Sequence, residues 1–240
     1  MSHSVDTKNE SSSLREAGEV PTRPVLDRQV TASMTPFPQY HRKFGNPGPL
    51  GVLSFAGPTF VLSMFNVQAR GVIVPNVVVG MALMVGGLTQ LLAGMWEFAC
   101  GNTFGGTIFS LFSGFWLSFG LIYLPFMGIL AAYTDNATDA AQLHNALGIY
   151  LIAWFILIFI MVPATFRSSI AFAAEVALVD FVILILAVAE FTQIPAVTTA
   201  GGYLGLIASF GAFYVGAATL YTRDVSLFTL PTGDLPKSQV

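Results

Sequence analysis

From Phe44 to Thr222 the chain carries only eight charged residues: Arg70, Glu97, Asp135, Asp139, Arg167, Glu175, Asp180 and Glu190. The other fifteen lie in the two flanking segments. A water-soluble domain carries about 25% charged residues. This 240-residue chain has 10%, with 54% hydrophobic residues and a mean hydropathy of +0.70. So few charges cannot cover a globular surface, and lipid must be the solvent for much of the chain. The net charge of −3 is small and does not call for nucleic acid. The single cysteine, Cys100, makes an internal disulfide impossible.

The expected class is an all-α polytopic membrane protein. Residues 1–43 are rich in Ser, Thr, Pro and charge and lack an apolar run, so they read as a disordered cytoplasmic tail. They also lack the apolar core of a signal peptide, and the first membrane helix is expected to act as its own insertion signal. Residues 44–221 hold six apolar runs near the length of about 20 residues that a bilayer requires. The runs are Pro49 to Phe65, interrupted by Pro58; Val77 to Cys100; Gly106 to Ala132, with Pro125 near its end; Ala141 to Val162; Ser169 to Phe191; and Ala200 to Tyr221. Residues 222–240 read as a short polar cytoplasmic tail.

Basic residues set the orientation. With a cytoplasmic N-terminus, Lys8, Arg15, Arg23, Arg28, Arg42, Lys43, Arg167, Arg223 and Lys237 all fall inside, and only Arg70 falls outside. The loop between spans 3 and 4 carries Asp135 and Asp139 and no base, as an external loop would. Small residues at four-residue spacing form stripes: Ala82, Gly86, Gln90 and Gly94 on span 2, and Ala208, Ala212 and Gly216 on span 6. Such stripes let helices approach closely in lipid. Bundle packing, a subunit interface and a narrow pore would all use them.

Several segments carry polar groups that could do chemistry. Asn46 and Pro47 can start a helix at the membrane surface, with free N–H groups that attract an anion; an ordinary capped start has the same sequence. Pro58 frees a carbonyl near Ser54, and Thr59, Ser63 and Asn66 add polar groups to that helix. Broken helices often mark transport sites, but a kink satisfied by a hydroxyl is the plain alternative. Gln90 and Glu97 share a helix face. Asn102 and Thr103 can cap span 3. Glu175, Asp180 and Glu190 lie on span 5, where a carboxylate is costly and a functional candidate. Glu175 and Asp180 are candidate proton carriers; helix-to-helix hydrogen bonding is the other role open to Asp180. There is no His/Cys metal spacing, no phosphate-binding loop and no nucleophile elbow, so neither an enzyme nor a cofactor is expected. His144 reads as an interfacial polar residue.

Four stretches resemble the acetate uptake transporter family, which includes fungal acetate permeases and bacterial succinate–acetate permeases. They are Asn46-Pro-Gly-Pro-Leu-Gly-Val52; Phe60-Val-Leu-Ser-Met-Phe-Asn66; the block from Gly86-Gly-Leu-Thr-Gln90 through Glu97 to Gly101-Asn-Thr-Phe-Gly105; and Ser113-Gly-Phe-Trp116. Gly48 and Val52 stand where the family more commonly has Ala and Leu, and Pro58 falls where it has no expected proline. The resemblance implies a plasma-membrane hexamer of six-helix protomers, each with its own pore for acetate or acetic acid, with lactate or succinate as related substrates. It also implies a hydrophobic constriction, carried over onto Phe55, Phe112 and Val179, with Asn46, Ser54, Thr59, Gln90, Glu97, Asn102 and Thr103 as candidates along the substrate path. An apolar narrowing opposes hydrated ions and passes the protonated acid more cheaply, so movement linked to protons is expected, as symport or as channel-like flow. Ammonia or ammonium export is the alternative within transport. A non-transporting sensor is the alternative outside it, although a dead pore would be expected to carry charged or blocking residues at the constriction.

The orientation has a direct test. Asn136-Ala137-Thr138 and Asn9-Glu10-Ser11 are both glycosylation sequons. On passage through a eukaryotic secretory pathway, a glycosidase-sensitive band shift should disappear in Asn136→Gln. A shift that disappears in Asn9→Gln instead would reverse the topology.

Overall fold

The computed structural model describes residues 44–134 and 137–236; the expectations for residues 1–43 and for Asn136 concern residues outside this set. Among the described residues, six helices are long and apolar enough to cross a membrane. They are α1 (Gly48–Asn66), α2 (Val78–Ala99), α3 (Thr103–Ile122), α4 (Ala137–Met161), α5 (Ile170–Thr192) and α6 (Pro195–Leu220).

The helix ends follow local chemistry and correct several expected boundaries. Asn102 caps α3 by accepting from Gly105 N at 3.0 Å, so that helix begins at Thr103 rather than Gly106. It stops at Ile122, well short of Ala132, because Leu124 turns extended before Pro125 and the proline opens a separate 3₁₀ turn. Ser169 caps α5 by accepting from Phe172 N at 3.2 Å. Proline at the first position starts α6 at Pro195, a full turn earlier than Ala200.

Pro58 does not interrupt α1, contrary to expectation. The helix runs unbroken through it, the ring is fully buried, and Thr59 Oγ1 donates to the Phe55 carbonyl at 2.7 Å. The irregular helix is α2, which widens to a π-helix over Ala82–Thr89. Two hydroxyls support the wide turns. Thr89 Oγ1 donates to Met84 O at 2.9 Å, and Ser113 Oγ on α3 donates to Gly87 O at 2.9 Å. Long π segments are rare and concentrate at functional sites.

The six helices form a ring in chain order. The pairs α1–α2, α2–α3, α4–α5 and α5–α6 pack closely, and α6 returns along α1. Long side chains close the ring between α3 and α4: Phe115 meets Trp154 with ring centroids 5.5 Å apart, and the Ser118 and Tyr150 hydroxyls lie 2.8 Å apart. The small-residue stripes face inward to this packing. A Cβ at Gly86 would strike Trp116, one at Gly94 would strike Ser110, and one at Gly216 would strike Leu53. The stripes therefore serve contacts within the chain. At one end of the ring, His144 Nδ1 pairs with Glu190 Oε2 at 2.8 Å.

At the other end, the segment after α6 folds back onto the start of α5. Ile170 N donates to Gly233 O at 2.8 Å and Ala171 N to Thr232 O at 3.1 Å. Leu235 N donates to Ser168 O at 3.0 Å, and the Tyr214 hydroxyl donates to Pro231 O at 2.6 Å. Helix starts leave N–H groups without intrahelical partners, and here a distant stretch of the same chain supplies two of the acceptors.

This packing predicts a contrast between two glycines on one helix. Gly86→Val forces a branched side chain into Trp116 and should cost about 1–3 kcal/mol. Gly80 has nothing within 4 Å of a built Cβ, so Gly80→Ala should be neutral within error. Thermal unfolding of the purified variants in detergent checks both.

Candidate functional site

Three cavities follow one another through the ring, starting where α1 and α5 begin. Polar side chains on helix starts shape the first. Asn46 Oδ1 accepts from Gly48 N at 3.0 Å. Asn102, besides capping α3, donates from Nδ2 to Glu97 Oε2 at 2.7 Å. Gly105 leaves the room for that pair, since a Cβ there would lie 2.5 Å from Asn102 Nδ2 and 2.8 Å from Glu97 Oε2. Together with Ser168, Ser169, Thr232 and Asp234, these residues line a vestibule of about 310 Å³.

Inward of the vestibule the path narrows. Val52, Ile108, Phe109 and Phe172 line both the vestibule and a chamber of about 20 Å³. That is room for about one water, which needs some 10–15 Å³. The chamber in turn shares three residues with an outer cavity of about 40 Å³: Phe55, Phe112 and Val179. The rings of Phe55 and Phe112 stand 4.9 Å apart, tilted by 57°. Thr59, Ser63 and Asn66 line the outer cavity, so polar groups lie beyond the aromatic pair.

Two polar side chains interrupt the otherwise apolar chamber. Gln90 is fully buried, and its Nε2 donates to the Gly51 carbonyl at 3.2 Å. Its Oε1 has no partner among the described residues. Glu175 is 6% exposed, and its Oε1 is likewise unpartnered. Glycine at 211 makes room for this carboxylate, because a Cβ there would collide with Glu175 Oε2. Most buried polar atoms are hydrogen-bonded, so these two call for an explanation.

The sequence-derived candidates separate by position. Asn46, Glu97 and Asn102 lie in the vestibule, Gln90 and Glu175 in the chamber, Thr59 in the outer cavity, and Phe55, Phe112 and Val179 at the boundary between the last two. Ser54 is buried but lines none of the three. Thr103 is exposed, and its carbonyl accepts from Thr107 Oγ1 at 2.8 Å. Asp180 is buried with Oδ1 unpartnered, yet it also lines none of these cavities. Sequence reasoning missed the inner collar of Val52, Ile108, Phe109 and Phe172, which reads as ordinary apolar helix. It also missed Thr232 and Asp234, which reach the vestibule only because their segment folds back. The Ser168–Ser169 pair carried a usable signal as a helix cap.

A profile of the GPR1/FUN34/yaaH family matches residues 29–237. Ammonia transport outward protein 2 of Saccharomyces cerevisiae is 50% identical over 197 residues, covering 80% of this chain and 69% of that protein. Acetate permease A of Emericella nidulans is 42% identical over 204 residues, covering 82% and 68%. The structure of the bacterial acetate channel SatP superposes with a TM-score of 0.69 at 28% identity, covering 80% of this chain and all of that one. The chain thus belongs to the GPR1/FUN34/yaaH family, which has acetate transporters among its members.

Proposed function

We propose that this protein moves acetate and related small monocarboxylates across the plasma membrane, linked to protons, through a pore within each protomer of a homo-hexamer. Both termini are cytoplasmic in this reading, the vestibule opens to the cytoplasm, and no reaction is catalysed. The observation that carries it is the shared wall between the chamber and the outer cavity. The three residues common to both are Phe55, Phe112 and Val179, the residues that the family resemblance assigns to a constriction.

The physics of such a constriction suits a small weak acid. An apolar narrowing excludes hydrated ions by dewetting. A carboxylate stripped of water is costly there, whereas its protonated form is far cheaper. The methyl group of acetate can rest against the two rings while polar groups on either side take its oxygens: Gln90 inward, Thr59, Ser63 and Asn66 outward. A second reading, export of ammonia or ammonium, is favoured by the 50% identity to a protein named for outward ammonia transport. Labelled acetate uptake into proteoliposomes, with and without an inward proton gradient, tests the first reading. Methylammonium efflux from the same vesicles tests the second.

The constriction makes a sharper prediction. Phe→Ala in a dry core costs about 3–5 kcal/mol, but a ring bordering cavities on both sides has fewer contacts to lose. Phe55→Ala and Phe112→Ala should therefore still assemble, and each should raise lactate uptake relative to acetate. Val179→Leu should narrow the gap and lower that ratio. The uptake rates are compared at matched protein amounts; a lactate-to-acetate ratio unchanged in all three variants would remove the constriction from these residues.

A further inference from the structure

The chamber between the two collars has a polar character that its apolar lining conceals. Its polar side-chain groups are Gln90 and Glu175. The Gln90 amide cannot turn freely. Its nitrogen is committed to the Gly51 carbonyl, and the flipped orientation would set oxygen against oxygen at that contact. Gln90 therefore offers the chamber an acceptor, Oε1, which has no partner. Glu175 offers a carboxyl oxygen, also without a partner. A transiting carboxylate anion brings acceptors only. It would meet the two acceptor oxygens of Gln90 and Glu175, with at most the second hydrogen of Gln90 Nε2 as a donor, in a space too small to carry its own water shell. One acidic proton resolves this: held on the substrate, it can be donated to Gln90 Oε1 or Glu175; held on Glu175, it can be donated to the substrate.

We propose that Gln90 and Glu175 form an occluded site for a carboxyl group together with one acidic proton, so that Glu175 makes the protein carry the acid and exclude the bare anion. This rests on the monocarboxylate reading above. The exchange at the site is R–COO⁻ + Glu175–COOH ⇌ R–COOH + Glu175–COO⁻. One O–H bond breaks as one forms, and the net cargo is one carboxylate and one proton.

Few other groups can interfere with this proton. Helices α1 and α3 carry no Asp, Glu, His, Lys, Arg or Tyr. On α2 the one ionisable side chain is Glu97, which is in the vestibule with Asp234 and pairs with Asn102. On α6 there are Tyr203 and Tyr214, 59% and 39% exposed. On α4 there are Asp139, His144 and Tyr150; His144 pairs with Glu190 and Tyr150 with Ser118. Asp180 sits five residues along α5, about 140° around the helix from Glu175, and lines neither the chamber nor its neighbouring cavities.

The test uses full-length protein in proteoliposomes, with protein-free liposomes subtracted, and initial uptake of labelled acetate at fixed total concentration. Wild type should lose rate about tenfold per pH unit between about pH 6 and 7, as the neutral acid does, and should take up one proton per acetate by an internal pH dye. Glu175→Asp keeps a carboxyl and should keep both properties. Glu175→Gln supplies an N–H donor and no acidic proton. Its uptake should become nearly independent of pH, carry less than one proton per acetate, and accelerate under an inside-positive potassium diffusion potential. Glu175→Ser replaces it if the Gln variant does not reach the vesicles. A Glu175→Gln or Glu175→Ser protein with the wild-type pH slope and no response to potential overturns the proposal, leaving the chamber as a place for one water. Inhibition by methylammonium in wild type but not in Glu175→Gln also overturns it, since the site would then take a cation. Absence of acetate uptake by wild type at every pH is a distinct result that removes the monocarboxylate reading and this proposal with it.

Discussion

Three helices meet at Gly51, and the lumen of the ring depends on that contact. With no side chain there, the Phe109 ring of α3 lies against the α1 backbone, where a Cβ would sit 2.5 Å from the ring carbons. The same residue's carbonyl accepts from Gln90 of α2. In a lipid-embedded bundle the hydrophobic effect does not distinguish a neighbouring helix from a lipid tail. Close backbone approach and buried hydrogen bonds must supply the specificity. At Gly51 both occur at one residue, one full turn from Phe55 along α1. Moving α1 away from α2 and α3 would unseat Phe109 from the inner collar and free Gln90 to rotate. The anchoring of the lumen's polar group and the width of its apolar neck are therefore set together.

The π-helical stretch of α2 is the second element of this arrangement. A regular helix over the same residues would present the residues after it at a different angle, because each wide turn adds a residue to the ring of hydrogen bonds. Gln90 follows the π segment directly. The hydroxyls of Thr89 and Ser113 give the loosened backbone alternative bonds. Of the two carbonyls, that of Gly87 is buried and bonded by Ser113 of α3, while that of Met84 lies on an exposed turn and is bonded by Thr89 of the same helix, so neither depends on lipid for a partner.

Much of this was legible in the residues. The scarcity of charge between Phe44 and Thr222 identifies the solvent, and six runs of bilayer length identify the spans. Helix ends were less legible where caps competed with hydropathy. Asn102 draws α3 a turn earlier than its apolar run begins, while Leu124 and Pro125 end it although apolar residues continue to Ala132. The unbroken course of α1 through Pro58 was not legible, because a proline's effect depends on what surrounds the freed carbonyls. The placement of Phe55, Phe112 and Val179 at a common wall came through the motif resemblance; in periodicity alone they look like core. Glu175 and Asp180 show the limit most clearly. Both are carboxylates in one apolar helix, with nothing local to separate them, and only the rotation of α5 within the ring puts one on the lumen and the other off it.

The backfolded segment has a consequence for how the protein is made. Helix α5 carries Val179 and Glu175, yet its first N–H groups find their acceptors on Thr232 and Gly233, which the ribosome adds only after the whole of α6. During insertion α5 therefore enters the bilayer with its leading turn unfinished and held only by Ser169. The floor of the vestibule is completed only after α6 has been made. Until that segment is made, six spans can stand as a ring whose vestibule end is still open to water.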